Sequence, residues 1–236
     1  MDELIILLES MEPFFILVST RTAQPFLLNG ACYLYTDSAS MQDKLEYLRL
    51  FGYGVVAVSV VRSRNVLLEE IATAGADTVI LNDRDDGGRI QCAKIENLTT
   101  VYPDDATSDT VPLVNRALCR RLNEVYQDGE EEDLQKKLEV EALMGKTHFL
   151  VPIDHAASSI QGTPVFPMLQ GSRVIPVFTD YRRCRAFIEN LKSKTEYDGW
   201  LLTLEDMRNV MNQHPGIGFR LNPQGIALDI ERQTRM

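Results

Sequence analysis

The motifs of this chain recur in the same order, and a recurrence limits the fold more than any composition does. ACYLYTD at Ala31–Asp37 lies against RVIPVFTD at Arg173–Asp180, so Thr36-Asp37 answers Thr179-Asp180. Arg64-Asn65-Val66 returns as Arg208-Asn209-Val210, and Leu81-Asn82 as Leu221-Asn222. Each copy reads strand, hairpin, helix, strand, helix, strand. The expectation is an α/β chain (α+β-like) of two tandem mixed-sheet modules with a helical connector. Residues 1–97 form a first, diverged module, 98–146 a loop and the connector, and 147–236 the second module.

Local chemistry sets the elements. Leu4, Leu7, Leu8 and Met11 have helical spacing over residues 2–11, and Pro13 stops that helix. Phe14–Ser19 is bulky and β-branched, as a buried strand requires. Asn29-Gly30 supplies the positive φ of a tight hairpin between Ala23–Leu28 and Ala31–Thr36. Asp37 or Ser38 caps a helix with a Met41, Leu45, Leu48 stripe. Val55–Val61 and Thr78–Leu81 read as strands around the helix of Leu67, Ile71 and Ala74, with Ile90–Ile95 as a last strand. A loop over 98–110 leads to helical patterns from Val111 and over Leu134–Met144.

The second copy opens with the strand Thr147–Ile153, then a polar loop over Asp154–Pro164. Val165–Leu169 and Arg173–Phe178 flank Gln170-Gly171 as a hairpin. Pro176 cannot donate to a ladder, so its strand bonds on one side only there. Cys184, Phe187, Ile188 and Leu191 form one helix face, and Phe187 and Leu45 are expected to be buried at matching places. Thr203 with Asp206 predicts a capping box, and Pro215-Gly216 ends that helix. The repeated Asn82 and Asn222 follow apolar strands, where Asn tolerates turn geometry.

With 236 residues and 44% apolar content, each half can bury its own core. The net charge of −10 excludes a sequence-independent grip on nucleic acid, which needs clustered Lys and Arg. The negative charge lies before residue 147, and the last 90 or so residues are nearly balanced. The run Leu4–Leu8 is too short for a signal core or a membrane span, which predicts a soluble cytoplasmic protein without a membrane partner. Cys32, Cys92, Cys119 and Cys184 contain no CxxC pair, so they are expected to be reduced and buried rather than zinc ligands.

FLVPID (Phe149–Asp154), FPMLQG (Phe166–Gly171), VIPVFTD (Val174–Asp180) and GFRLNPQG (Gly218–Gly225) together resemble the N-terminal domain of the SseB family. That family is named for enhanced serine sensitivity. The resemblance covers about residues 137–230, with the motifs in the family's order and spacing. The first module is similar to a diverged copy, with Ser19 for Pro152, Tyr33 for Pro176 and Asn82-Asp83 for the Asn-Pro turn. The C-terminal domain that many members carry has no counterpart here. The resemblance implies a mixed α/β domain without established catalytic residues.

Among chemically capable groups, Asp154-His155 with Ser158 and Ser159 come closest to a nucleophilic constellation. They share one loop, whereas triad members normally come from separate elements, and no Gly-x-Ser-x-Gly elbow accompanies them. These four residues are the ligand candidates. Arg182, Arg183 and Arg185 form a basic start to a helix and are the candidate interaction surface. Gly216-Ile217-Gly218 precedes a strand, so it is no dinucleotide fingerprint. Asp83, Asp85 and Asp86 lack the spacing of a calcium loop. No catalytic residue, cofactor or metal site is predicted.

The functional expectation is a non-enzymatic module working through a protein partner, with self-association left open. The alternative is a small-molecule binder or enzyme with its site in the cleft between modules, near Asp154 and His155.

Overall fold

A computed structural model describes residues 14–60, 64–83, 89–91, 115–130, 132–161, 163–191 and 197–230. The expected helix over 2–11, most of the strand Ile90–Ile95, the loop over 98–110 and the start of the helical pattern lie outside them. The chain is α/β, and its contacts divide it into two units. Met1–Ser108 with Arg116–Lys137 form one, and Asp109–Asn115 with Leu138–Met236 the other.

In the first unit, β1 (Phe14–Ser19), β2 (Leu27–Leu28) and β3 (Ala31–Tyr35) are followed by α1 (Ser38–Leu50) and β4 (Val55–Val60). Then come α2 (Arg64–Thr73), β5 (Thr78–Leu81), β6 (Arg89–Gln91) and α3 (Arg116–Asp128). The sheet order is β4-β1-β3-β5-β6, with β2 paired to β3. β3 and β5 run parallel, and the other pairs are antiparallel. The Asn29-Gly30 turn takes φ of 52° and 74°, the positive values that make this pair a hairpin signal. Of the expected Ala23–Leu28 strand, Leu27-Leu28 pairs with β3 and Pro25 forms a single bridge to Val18, since Ala23 has φ 53° and Pro25 lacks an N–H to extend a ladder.

Side-chain alternation splits the core across the sheet. Phe14, Ile16, Leu34 and Val79 meet Leu67, Leu68 and Ile71 of α2 on one face. Leu17, Tyr33, Tyr35 and Ile80 meet Leu45 and Leu48 of α1 on the other. Helix α3 completes this unit. A Cβ on Gly75, which has φ +94°, would sit 2.1 Å from the Arg120 backbone nitrogen, so only glycine lets the helix come this close. The buried Gln127 amide accepts from the Leu27 N–H at 3.1 Å and donates to the Leu27 carbonyl, replacing a strand beside β2. Asn123 donates to the Pro25 carbonyl at 2.9 Å and accepts from the Thr22 hydroxyl.

Helix α4 (Leu134–Met144) crosses the division at Leu138, and in the second unit it leads to β7 (His148–Asp154), α5 (His155–Gln161) and β8 (Val174–Val177). Then come α6 (Tyr181–Asn190), β9 (Tyr197–Thr203), α7 (Leu204–Gln213), β10 (Gly218–Leu221) and β11 (Leu228–Ile230). β7 pairs with β9, and β8 with β10 and β11 in the order β11-β10-β8. A reciprocal bridge joins the two pieces: Leu150 and Phe178 exchange N–H···O bonds of 2.9 and 2.8 Å. By that register Pro152 would face Pro176, so the ladder cannot continue there. The resulting order, β9-β7-β8-β10-β11, and its strand senses correspond one for one to those of the first unit.

Two expectations for the stretch between β7 and β8 differ from the structure. The polar stretch after Asp154 is helical over His155–Gln161, because the Asp154 carboxylate accepts from the Ala157 N–H and starts a turn. Val165–Leu169 makes no strand. Pro164 and Pro167 lack donors, although Leu169 still donates to the Val174 carbonyl at 2.8 Å around Gly171.

The conserved order of strands has a specific polar joint in each unit. Asn82 (φ 61°) accepts from the Thr36 N–H at 2.9 Å and donates to the Thr36 hydroxyl at 3.1 Å. Asn222 (φ 43°) does the same for Thr179, at 3.2 and 3.1 Å. The asparagine N–H closes each clasp on the parallel neighbouring strand, at the carbonyls of Leu34 in β3 and Val177 in β8. The residue after each threonine caps the next helix: Asp37 accepts from Ser40 N–H at 2.7 Å, and Asp180 from Arg183 N–H at 2.9 Å.

Other matches are looser. The strand registers make Val60 and Leu202 equivalent, yet Arg64 follows Val60 by four residues and Arg208 follows Leu202 by six. The Arg-Asn-Val recurrence is therefore out of register. The strand registers also set Pro152 against Leu17 rather than Ser19. Phe187 and Leu45 are both buried, but counted from the capping aspartates they differ by one residue, and Ile188 is the counterpart of Leu45.

Asn82→Ala and Asn222→Ala should each lower stability by about 1–3 kcal/mol, since one removes the partner of the half-buried Thr36 N–H and the other that of the buried Thr179 N–H. The glycine variants should recover only the positive-φ part of that loss. Urea denaturation of the four variants measures both effects.

Candidate functional site

The four ligand candidates form one turn, and its hydrogen bonds run to the backbone. Ser158 donates to the Asp154 carbonyl and accepts from the Val165 N–H at 2.9 Å, tying the end of α5 to the following loop. Ser159 donates to the His155 carbonyl at 2.8 Å. Asp154 spends a carboxylate oxygen on the Ala157 N–H at 2.8 Å. His155 is exposed on the first turn. A nucleophilic serine needs its proton directed at a histidine; both hydroxyls are directed at carbonyls instead.

The three arginines have separate surroundings. Arg183 pairs with Asp180, whose side chain is buried and also accepts from the Thr179 hydroxyl. That pair holds the helix cap. Arg185 reaches Glu189 at 2.8 Å one turn on, and this exposed pair keeps the guanidinium protonated above its ordinary range. Arg182 is half-buried. The arginines therefore do not converge on one anion cradle.

Sequence reasoning missed a polar cluster at the carboxyl ends of β3 and β5, where α/β sheets commonly place ligands. Lys44 of α1 pairs with Asp83 and lies 4.4 Å from the Tyr33 ring centroid and 5.5 Å from that of Tyr47. Counted from the capping aspartates, Lys44 stands where Phe187 packs on Phe178 at 5.5 Å in the second unit. A core aromatic in one unit is thus a cation on aromatic faces in the other. Tyr35, the counterpart of Phe178, is fully buried and its hydroxyl lacks a hydrogen-bond partner. Burial, and then the nearby Asp83 carboxylate, push that phenol up and keep it neutral. The only sequence signal was Lys44 interrupting an otherwise apolar helix stripe.

Exposed apolar groups are the other feature. β4 ends its sheet, and Val56 and Val58 stand exposed on it. β9 ends the pairing of its unit and exposes Trp200 and Leu201, with Phe166 edge-on to Trp200 at 6.4 Å. On α1, Tyr47, Leu50 and Phe51 are exposed together. Among the described residues, no group of three or more His, Cys, Asp or Glu side chains is placed to hold a metal ion. Cys32, Cys119 and Cys184 are buried and form no disulfide. No helix among the described residues is long and apolar enough to cross a membrane.

The predicted capping box at α7 is present and makes a pH test. Asp206 accepts from the Thr203 hydroxyl and N–H, at 2.6 and 2.9 Å, which holds its carboxyl below the usual aspartate range. A depressed folded pKa contributes stability above the unfolded value, about 4, and loses it as pH falls through the folded one. Asp206→Ala should therefore lower stability at neutral pH by about 0.5 kcal/mol, the solvent-screened range of an exposed charge in the first turn of a helix. Its deficit against the wild type should shrink as acid titrates the carboxylate in urea melts at stepped pH.

No family model matches the chain, and no curated protein does. Among solved structures, Tic22 from Plasmodium falciparum aligns over 90% of this chain and 90% of its own, at 15% identity and a TM-score of 0.22. A likeness at that level fixes neither fold nor function.

Proposed function

We propose that the chain is a non-enzymatic protein of two SseB-like modules, one a diverged copy of the other, and that it acts by protein–protein contact. Support for the duplication is the repeated clasp of Thr36 with Asn82 and of Thr179 with Asn222, inside the same strand order. Support for the family is the run of motifs from FLVPID to GFRLNPQG.

The observation that carries the contact reading is at the edges. β4 and β9 are equivalent terminal strands, and each presents exposed apolar side chains. Edges are normally blunted by charge or proline. The β4 segment VVAVSV has neither, and among the described residues no strand pairs with its outer edge, so that edge and its valines suit a partner. The alternative, a ligand site around Asp154 and His155, has its best hydroxyl, Ser158, turned to the backbone.

Capture from native lysate, paired with a metabolite thermal-shift screen, decides between the two. The expected result is a protein held by the wild type and lost by Val56→Lys/Val58→Lys or by Trp200→Lys, with no metabolite raising Tm. A metabolite whose Tm shift disappears in His155→Ala would overturn the contact reading. His155→Ala should otherwise leave stability within about 0.5 kcal/mol, as exposed substitutions do.

A further inference from the structure

The outer face of α1 carries three large apolar side chains that the fold leaves in solvent. Tyr47 is 51% exposed, Leu50 86% and Phe51 67%. They are spaced i, i+3, i+4, which brings them onto one surface at the end of the helix. The Tyr47 and Phe51 rings touch, with centroids 4.8 Å apart, so the patch is a contiguous one. Burial of an apolar set of this size is normally the reason for its existence.

Packing within the unit does not account for it. The inward stripe of α1 is Leu45 and Leu48, assisted by Met41, and it is complete without these three residues. The second unit opens its helix from the same kind of aspartate cap, yet α6 ends at Asn190, the position that corresponds to Tyr47. The first unit has therefore extended this helix with an aromatic and aliphatic tip.

The charge beside the patch selects its occupant. Asp43 lies one turn before Tyr47, and Glu46 one turn before Leu50, so both carboxylates border the apolar surface. Both are exposed, and among the described residues neither meets a cationic side chain; Glu46 accepts only from the neutral Gln42 amide, at 3.0 Å. The nearest lysine on the helix, Lys44, is engaged by Asp83. Arg49 is turned to the Val55 carbonyl on the far side. The patch is thus apolar at its centre and acidic at its rim.

We propose that this face docks a cationic amphipathic helix of another protein. Its apolar side would cover Tyr47, Leu50 and Phe51, and its Lys or Arg residues would meet Asp43 and Glu46. Aromatic and large aliphatic side chains supply the buried anchors of such interfaces, and rim charges steer encounter and exclude wrong partners. A second copy of this chain is disfavoured, because it would bring two acidic rims together in a chain of net charge −10. An anionic lipid surface is disfavoured by the same charges. The proposal rests on the contact reading above and names the partner's chemistry.

The test uses the full chain and two synthetic amphipathic helices with the same leucine face, one with lysine and one with glutamate elsewhere, followed by fluorescence anisotropy. The lysine peptide should bind and the glutamate peptide should not. Leu50→Ser/Phe51→Ser and, separately, Asp43→Lys/Glu46→Lys should each weaken the lysine peptide by about tenfold or more. Circular dichroism of both variants checks that these exposed changes leave the fold intact. Equal binding of the lysine peptide to wild type and Leu50→Ser/Phe51→Ser would overturn the proposal. So would wild-type dimerisation, or binding to phosphatidylserine vesicles, that this variant abolishes. If a partner captured from lysate is still held by Leu50→Ser/Phe51→Ser, the α1 assignment fails while the contact reading stands.

Discussion

Where a parallel strand pair ends, the first strand leaves a backbone N–H and a threonine hydroxyl beyond the reach of the ladder. In both units an asparagine on the neighbouring strand supplies their partner, Asn82 for Thr36 and Asn222 for Thr179. The rest of each unit hangs from that joint. It fixes the end of β3 against β5, or of β8 against β10, and so sets where the capping aspartate starts the next helix. Asparagine suits the place for two reasons: its amide both accepts and donates, and it tolerates the positive φ of the turn. Thr179 and Asn222 are buried, so failing to satisfy their polar atoms would be costly.

Around that joint the two units solve the same problems differently. In the second, Pro152 and Pro176 fall where the β7–β8 ladder would extend, leaving the Leu150–Phe178 bridge to hold two pieces together. In the first, the side-chain amides of Asn123 and Gln127 complete the β2 edge, so helix α3 is part of that unit's fold rather than a spacer. The exchange of a Phe187-like core residue for Lys44 moves polarity to the sheet end beside α1, close to the exposed Tyr47.

The legible parts of the sequence were those with a local physical cause. Asn29-Gly30, the Asp caps, the Thr203–Asp206 box and the Leu45–Leu48 stripe each act within a few residues, and each stands as read. The Thr-Asp and Leu-Asn recurrences were visible as patterns, but their cause was not. Turn geometry accounts for Asn82 and Asn222 only in part, because the hydrogen bonds to threonine span 46 and 43 residues. Short-range reasoning also gave Arg-Asn-Val a meaning that the strand registers do not support. The Asp154–Ser159 turn illustrates the same limit: its polarity was plain, and the direction of its hydroxyls became visible only with the backbone in place. Exposed side chains such as Leu50 and Trp200 look like core residues in a sequence, so their exposure leaves no local mark.

The same polar joint occurs in both units, and the exposed edge strands and the α1 tip are where the described surface carries large apolar side chains. One interaction, the Thr–Asn clasp, organises both units. Paired double-mutant cycles measure it directly, with Thr36→Val and Asn82→Ala in one and Thr179→Val and Asn222→Ala in the other. Favourable coupling of the same sign is expected in both cycles, about 1 kcal/mol or more. Coupling near zero in either cycle would contradict it.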